Sequence, residues 1–240
     1  MTRLGASTAC CLLMALAPAF AAAATFEVGP GQPLAGLNEV PWESLGPGDT
    51  VLLHWRSTPY KEKFVLCRQG TEAQPIVVRG VRGPGGERPI IDGDGATTRA
   101  ALNFWNEDRG VIKIGGANAP ADTMPRWIVL EGLDVTSGRP PFSFTGRNGL
   151  TDYAKNAAAL YVEKGENITI RDCVIRDSGN GLFCGSQTRD LLVEGNELRD
   201  NGIEGSFYEH NNYTAAVGIT FQFNLFRPLR TGCGGNNLKD

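Results

Sequence analysis

Four stretches of the chain repeat one pattern of apolar and polar positions. They are Trp127–Thr136, Asn167–Arg176, Asp190–Arg199 and Gly218–Arg227. Each sets two apolar residues at alternate positions, breaks at a small or polar corner, and places another apolar residue seven positions after the first. The leading residues lie 40, 23 and 28 positions apart (127 to 167, 167 to 190, 190 to 218). Alternation with a period of two marks half-buried strands. Its recurrence along the chain marks stacked repeats. The middle offset suits one bare turn of a solenoid of roughly 20 residues or slightly more; the other two suit turns carrying loop insertions. Ile128 and Leu130, Ile168 and Ile170, Leu191 and Val193, and Ile219 and Phe221 are expected to face inward. Leu133, Cys173, Asn196 and Asn224 then share one corner, where Asn196 over Asn224 forms a short asparagine ladder.

Weaker repeats precede these: Ile76–Gly80, Pro89–Gly93 and Val111–Ile114 are short apolar runs bounded by turn residues. Leu37–Leu45 is read as a helix presenting Leu37, Val40, Trp42 and Leu45, stopped by Gly46-Pro47-Gly48. The architecture these elements predict is all-β, a right-handed parallel β-helix with a short N-terminal capping helix, over residues 25–240. A β-sandwich would need two-residue hairpin turns, of which the sequence offers few. Nothing after Phe226 reads as a cap for a last turn, so further C-terminal coils are expected to be missing.

Composition adds the compartment. Residues 10–17 form an apolar run too short to span a bilayer, and Ala-rich residues 19–24 follow. That order predicts a secretory signal peptide over 1–24 and a secreted or periplasmic protein without a membrane anchor. The 31 glycines and 14 prolines fit many short strands and tight corners. A net charge of −3 gives no nucleic-acid footprint, and a monomer is expected. Beyond the leader stand Cys67, Cys173, Cys184 and Cys233, which leave free thiols and three full pairings open.

Pro47-Gly48-Asp49-Thr50-Val51, Tyr60-Lys61-Glu62 and the run Gly70–Gly80 resemble the opening of secreted pectate-lyase-like β-helix proteins. Pro89–Gly95 and the Asn-corner repeats fit the same superfamily, from about residue 26 to the end. The resemblance implies fold and a carbohydrate-active setting, but the superfamily holds lyases, hydrolases, epimerases, esterases and non-catalytic adhesins. The Asn-Thr-Asp, Asp-Asp and Gly-His-Gly elements of polygalacturonase-type hydrolases do not occur here. The segment from Tyr208 to Asp240 is distantly similar to alginate and chondroitin lyases of this fold. There a lysine in an Asn-rich coil acts as base, a role that would fall to Lys239.

Counting eight residues back from Ile168, Leu191 and Ile219 reaches Leu160, Phe183 and Asn211. With Gly179–Cys184 matched to Gly235–Asp240, this predicts an outer stripe of Tyr161, Phe183, Asn211 (or Glu209) and Lys239. The stripe would be walled by insertions at residues 139–157, which contain Arg147, and 202–207. Aromatic and polar groups in a line suit a polysaccharide. Cleavage of an acidic glycan by β-elimination needs a cation beside the uronate carboxylate and a base for the C5 proton. Lys239, Arg230, and His210 with Tyr213 are the candidate catalytic groups; Tyr161, Phe183, Asn211, Glu209 and Arg147 are the candidate substrate contacts. Asp177 and Asp200 share a coil position, so they are candidates either for a Ca²⁺ site or for turn caps. Non-catalytic glycan binding and glycoside hydrolysis remain the alternatives.

Overall fold

The computed structural model describes residues 22–240. The leader expected over 1–24 therefore lies, apart from its last three residues, outside the described part.

Nearly all regular structure is β, and the largest sheet is mostly parallel. In that sheet Thr25–Val28, Thr50–His54, Ile76–Val81, Arg126–Glu131, the second half of Ala158–Arg171 and the second half of Asn180–Glu194 pair in succession, all parallel. Thr220–Gln222 extends the series. A second, wholly parallel sheet runs from Ile90–Asp92 through Asp134–Thr136, Val174–Arg176 and Glu197–Arg199 to Leu225–Phe226. The first halves of the two long strands form a third stack with Glu62–Leu66 and Gly110–Ile114.

The repeat register read from sequence holds residue for residue. Ile128 pairs with Ile168, which pairs with Leu191; Leu130 pairs with Ile170, which pairs with Val193. All six are buried. Ile219 and Phe221 continue the column, partly buried against the same core.

Three columns of left-handed residues turn the chain between strands. The first is Trp127, Asn167, Asp190 and Gly218, with φ of 51°, 54°, 53° and 74°. The second is Gly132, Asp172, Gly195 and Phe223; the third is Ser137, Asp177 and Asp200. Asn, Asp and Gly tolerate this region because a short polar side chain can bond locally or no Cβ intrudes. Phe223 and Trp127 hold it despite their bulk.

Beside the second column stands the asparagine ladder. Asn196 Oδ1 accepts from the Cys173 N–H at 2.9 Å, and Asn196 Nδ2 donates to the Ile170 carbonyl at 2.9 Å and to Asn224 Oδ1 at 3.0 Å. A second ladder appears at the third corner. Asn201 Nδ2 donates to Asn211 Oδ1 at 2.8 Å, and Asn211 Nδ2 donates to Asn237 Oδ1 at 2.7 Å. Each bond runs from one strand to the next and satisfies an amide that burial would otherwise strand.

The N-terminal helix is a correction. Leu37–Glu39 makes a single 3-10 turn and Val40 is already extended, with φ −68° and ψ 131°. The cause is Pro41, whose ring excludes helical geometry from the residue before it. Leu37, Val40, Trp42 and Leu45 are nevertheless all buried, and the Trp42 ring stacks on Phe64 at 3.9 Å. The covering role belongs to an irregular segment.

Among the described residues, Cys67, Cys173, Cys184 and Cys233 are free thiols, and the first three are buried. Asp177 and Asp200 do share a corner column, yet their carboxylates face arginines. Asp177 pairs with Arg139 at 2.8 Å and with Arg230, and Asp200 pairs with Arg199 at 2.5 Å. Guanidinium groups stand where a Ca²⁺ ion would need oxygens. Among the described residues no group of three or more His, Cys, Asp and Glu side chains is arranged to hold a metal.

The insertion at 139–157 contains an antiparallel hairpin, Ser143–Gly146 with Gly149–Asp152. It covers the outer face of Glu62–Leu66. Lys63 ends 3.3 Å from the Phe144 ring centre and 4.3 Å from that of Tyr153, donating to the Glu107 carbonyl at 2.6 Å. Burial holds its amine well below the usual lysine range.

Candidate functional site

The third stack of strands positions the site. Outward-facing residues fall in one line: Lys113 pairs with Tyr161, Tyr161 with Phe183, and Phe183 with Tyr213. A bridge then sets Tyr213 beside Lys239. The Tyr161 and Phe183 rings meet edge to face at 5.3 Å, and Phe183 meets Tyr213 likewise at 5.3 Å. Burial and the neighbouring Glu163 carboxylate push the Tyr161 phenol up to about 12, so it remains protonated.

The line differs at one place from the stripe expected from sequence: Tyr213 occupies the position assigned to Asn211. Asn211 is fully buried in the second asparagine ladder and cannot contact a glycan. The eight-residue count fails because the span between stacked positions is not constant: Leu160 to Thr169 is nine residues, Leu182 to Leu192 ten and Asn212 to Thr220 eight, so Asn212, not Asn211, pairs with Leu182.

The downstream half of the line opens into a cavity of about 410 Å³. Its floor carries Phe183, Tyr213 and Lys239; His210 and Glu209 border it, and Phe207 and Tyr208 rise at its rim. Phe207 and Tyr208 are 72% and 80% exposed, so two aromatic faces stand free at the mouth.

His210 is oriented by the backbone. Its Nδ1 accepts the Asn236 N–H at 2.8 Å, and its own N–H donates to Asn180 Oδ1 at 2.9 Å. Burial lowers its pKa, and the charge of Lys239 lowers it further. The ring is therefore neutral with its proton on Nε2, which makes it a hydrogen-bond donor. The imidazole stands perpendicular to Tyr213, with centres 5.4 Å apart. Lys239 Nζ lies 5.9 Å from the Tyr213 ring centre and donates to the Asp240 carbonyl at 3.4 Å. Glu209 is 5% exposed, and its Oε2 has no hydrogen-bond partner.

Lys239, His210, Tyr213, Glu209 and Phe183 are thus brought together, and Tyr161 continues their line. Arg230 is not among them. Its guanidinium is bound to Asp177 and to the Asp200 and Gly202 carbonyls, tying neighbouring turns of chain. Arg147 borders a different cavity, of about 310 Å³, with Glu107, Asp108 and Thr151. Asn156, Asn180 and Asn236 complete the main cavity and were not anticipated as site residues. The repeated Gly-Asn pairs at 179–180 and 235–236 were the sequence signal for Asn180 and Asn236.

No family model matches the chain, and no curated protein matches it. Among solved structures, the alginate lyase from Paenibacillus sp. str. FPU-7 superposes with a TM-score of 0.45 at 13% identity, over 74% of this chain and 59% of that one. The GH136 lacto-N-biosidase from Eubacterium ramulus superposes with a TM-score of 0.32 at 15% identity, over 88% of this chain and 57% of that one. The chain thus spans under two thirds of the length of either.

Proposed function

We propose that the chain winds as a right-handed parallel β-helix belonging to an exported protein. In this reading it binds an acidic polysaccharide along the aromatic line and cleaves it by β-elimination. Three features support the winding: parallel pairing in every stack, corners aligned in columns, and asparagine ladders along one axis.

The observation that carries the activity is the meeting of Lys239, Tyr213 and His210 at one aromatic-rimmed cavity. Lys239, once it has given its own proton to solvent, takes the C5 proton of a uronate. The electrons left on C5 form the C4–C5 double bond, and the bond from C4 to the glycosidic oxygen breaks. The Tyr213 hydroxyl gives that oxygen its proton, leaving a hydroxyl at a new reducing end. As charge builds on the carboxylate beside C5, the His210 Nε2–H donates to it. A donor fixed in advance by the Asn236 N–H needs no reorganisation during the step. A hydrolytic pair would need two carboxylates flanking the bond, and the cavity is bordered by one, Glu209.

The test is incubation of the full chain with alginate, pectate and glycosaminoglycans. Elimination raises ultraviolet absorbance from unsaturated sugar ends in step with new reducing ends. Reducing ends without absorbance would make the protein a hydrolase; glycan retention without either would make it a binding module.

A further inference from the structure

We infer that Arg109 is a specificity residue of this site, gripping an anionic group on a sugar next to the one that reacts. The inference rests on the glycan-binding reading above and extends the site upstream, to a residue of a non-repeating loop.

Arg109 closes the 3-10 turn Glu107–Arg109, whose geometry is fixed from three sides. The Arg109 N–H donates to the Asn106 carbonyl at 3.0 Å, the Ala154 N–H donates to the Asp108 carbonyl at 3.1 Å, and Lys63 holds the Glu107 carbonyl. From there the guanidinium reaches over the aromatic line. Its central carbon lies 5.1 Å from the Tyr161 ring centre and 4.9 Å from that of Phe183. Phe183 lines the cavity, so the cation stands one residue beyond that lining, on its upstream side.

Arg109 lacks an anion. Among the described residues it forms no ion pair and no side-chain hydrogen bond, and its Nε is buried without an acceptor. The nearby Glu163 carboxylate is engaged by Lys113 at 2.6 Å and by Asn106. Arg230, Arg139, Arg176 and Arg227, by contrast, all face carboxylates. A guanidinium presents five N–H donors in a plane and suits a carboxylate in bidentate geometry. The two rings, with centres 5.1 and 4.9 Å from the guanidinium carbon, hold the cation over the line, so a partner meets it already positioned.

The spacing selects the sugar. Neighbouring strands lie about 4.8 Å apart. Arg109 stands over the Tyr161–Phe183 pair and the strand position of Lys239 lies two steps, roughly 10 Å, beyond that of Phe183 along the line. One sugar ring cannot meet both. Arg109 therefore reads a carboxylate or sulfate ester on a neighbouring residue, while Lys239 and His210 work on the reacting one.

Calorimetric titration of the full chain with oligogalacturonate, oligomannuronate, a chondroitin sulfate oligosaccharide and carboxyl-reduced oligogalacturonate tests this. Arg109→Gln should weaken binding of the preferred acidic oligosaccharide by about tenfold or more. It should leave the carboxyl-reduced one unaffected, and kcat should change far less than KM. Arg109→Lys should recover part of the affinity. Preference for the carboxylated or the sulfated probe names the anion. Equal loss on acidic and neutral probes, or no loss on any, overturns the inference; a melting curve on Arg109→Gln guards the first outcome against misfolding. Acid-selective binding that depends on Arg109, without cleavage, would retain this inference and discard the lyase reading. Cleavage indifferent to Arg109→Gln would do the reverse.

Discussion

Asn196 and Asn224 sit one above the other, and Asn224 Oδ1 accepts both the Asn196 backbone N–H and its side-chain amide at 3.0 Å. Asn196→Ala removes the acceptor of the Cys173 N–H and a donor to the Ile170 carbonyl, both in the buried wall. Stranded buried groups cost about 1–3 kcal/mol each, so a loss of about 2–5 kcal/mol is expected. In urea the midpoint should fall with an unchanged slope. A loss indistinguishable from that of a surface Asn→Ala control would show the ladder to be decorative.

Lys63 predicts the opposite sign. Its amine is fully buried, and burial dominates its lowered pKa. Lys63→Met keeps the length of the side chain and removes the desolvated charge, so stability at neutral pH should rise by about 1–4 kcal/mol. For the wild type, the folded pKa lies below the unfolded value near 10.5, so stability increases as pH climbs between them. The advantage of the variant should shrink as pH rises through that interval. A destabilised Lys63→Met at neutral pH would mean that the Phe144 and Tyr153 rings outweigh desolvation.

His210 should be visible in the acid limb. Its folded pKa is lowered, so its contribution is complete above the ordinary value near 6.5 and declines as pH falls through it. His210→Gln should flatten the stability slope just below that pH. Histidine resonances titrating at or above 6.5 would contradict the neutral, Nε2-protonated ring.

For catalysis, Tyr213→Phe and Lys239→Ala should each reduce elimination by about 10²- to 10⁴-fold. Arg230→Gln should act on stability, because that guanidinium joins turns of chain and not substrate. Turnover by Lys239→Ala close to wild type would remove the lysine from the mechanism.

Thiol labelling gives an independent check on burial. Burial pushes the Cys173 and Cys184 thiols up to about 12, and both are inaccessible. Native protein should be alkylated first at Cys233, the partly exposed one, and at Cys173 and Cys184 only after unfolding. Native labelling of Cys173 would place the core wall elsewhere.

The legible parts were those governed by repetition. The register of Ile128, Ile168 and Leu191 and the contact of Asn196 with Asn224 followed from offsets alone, because stacking demands like residues at like positions. Phe183 and Lys239 were placed outward by the same logic. Asn211 was misplaced because the corner between its strand and the next is two residues shorter than its counterpart after Leu182, and in a strand a small error of register turns a buried amide into an apparent surface contact. The helix expected from Leu37 was stopped by Pro41, a local rule that the apolar spacing concealed. Arg109 left no trace in any pattern, since it arrives from a loop and its meaning lies in the aromatic residues beneath it.

On the proposed reading, the line of side chains running from Phe183 to Lys239 works as a ruler. Each strand contributes one graduation about 4.8 Å from the last, so exchanging residues between adjacent graduations would move a contact by a fixed step and leave the scaffold untouched. If the chain cuts glycans as proposed, preference for oligomer length and for the position of the cut becomes a matter of which graduation bears which side chain.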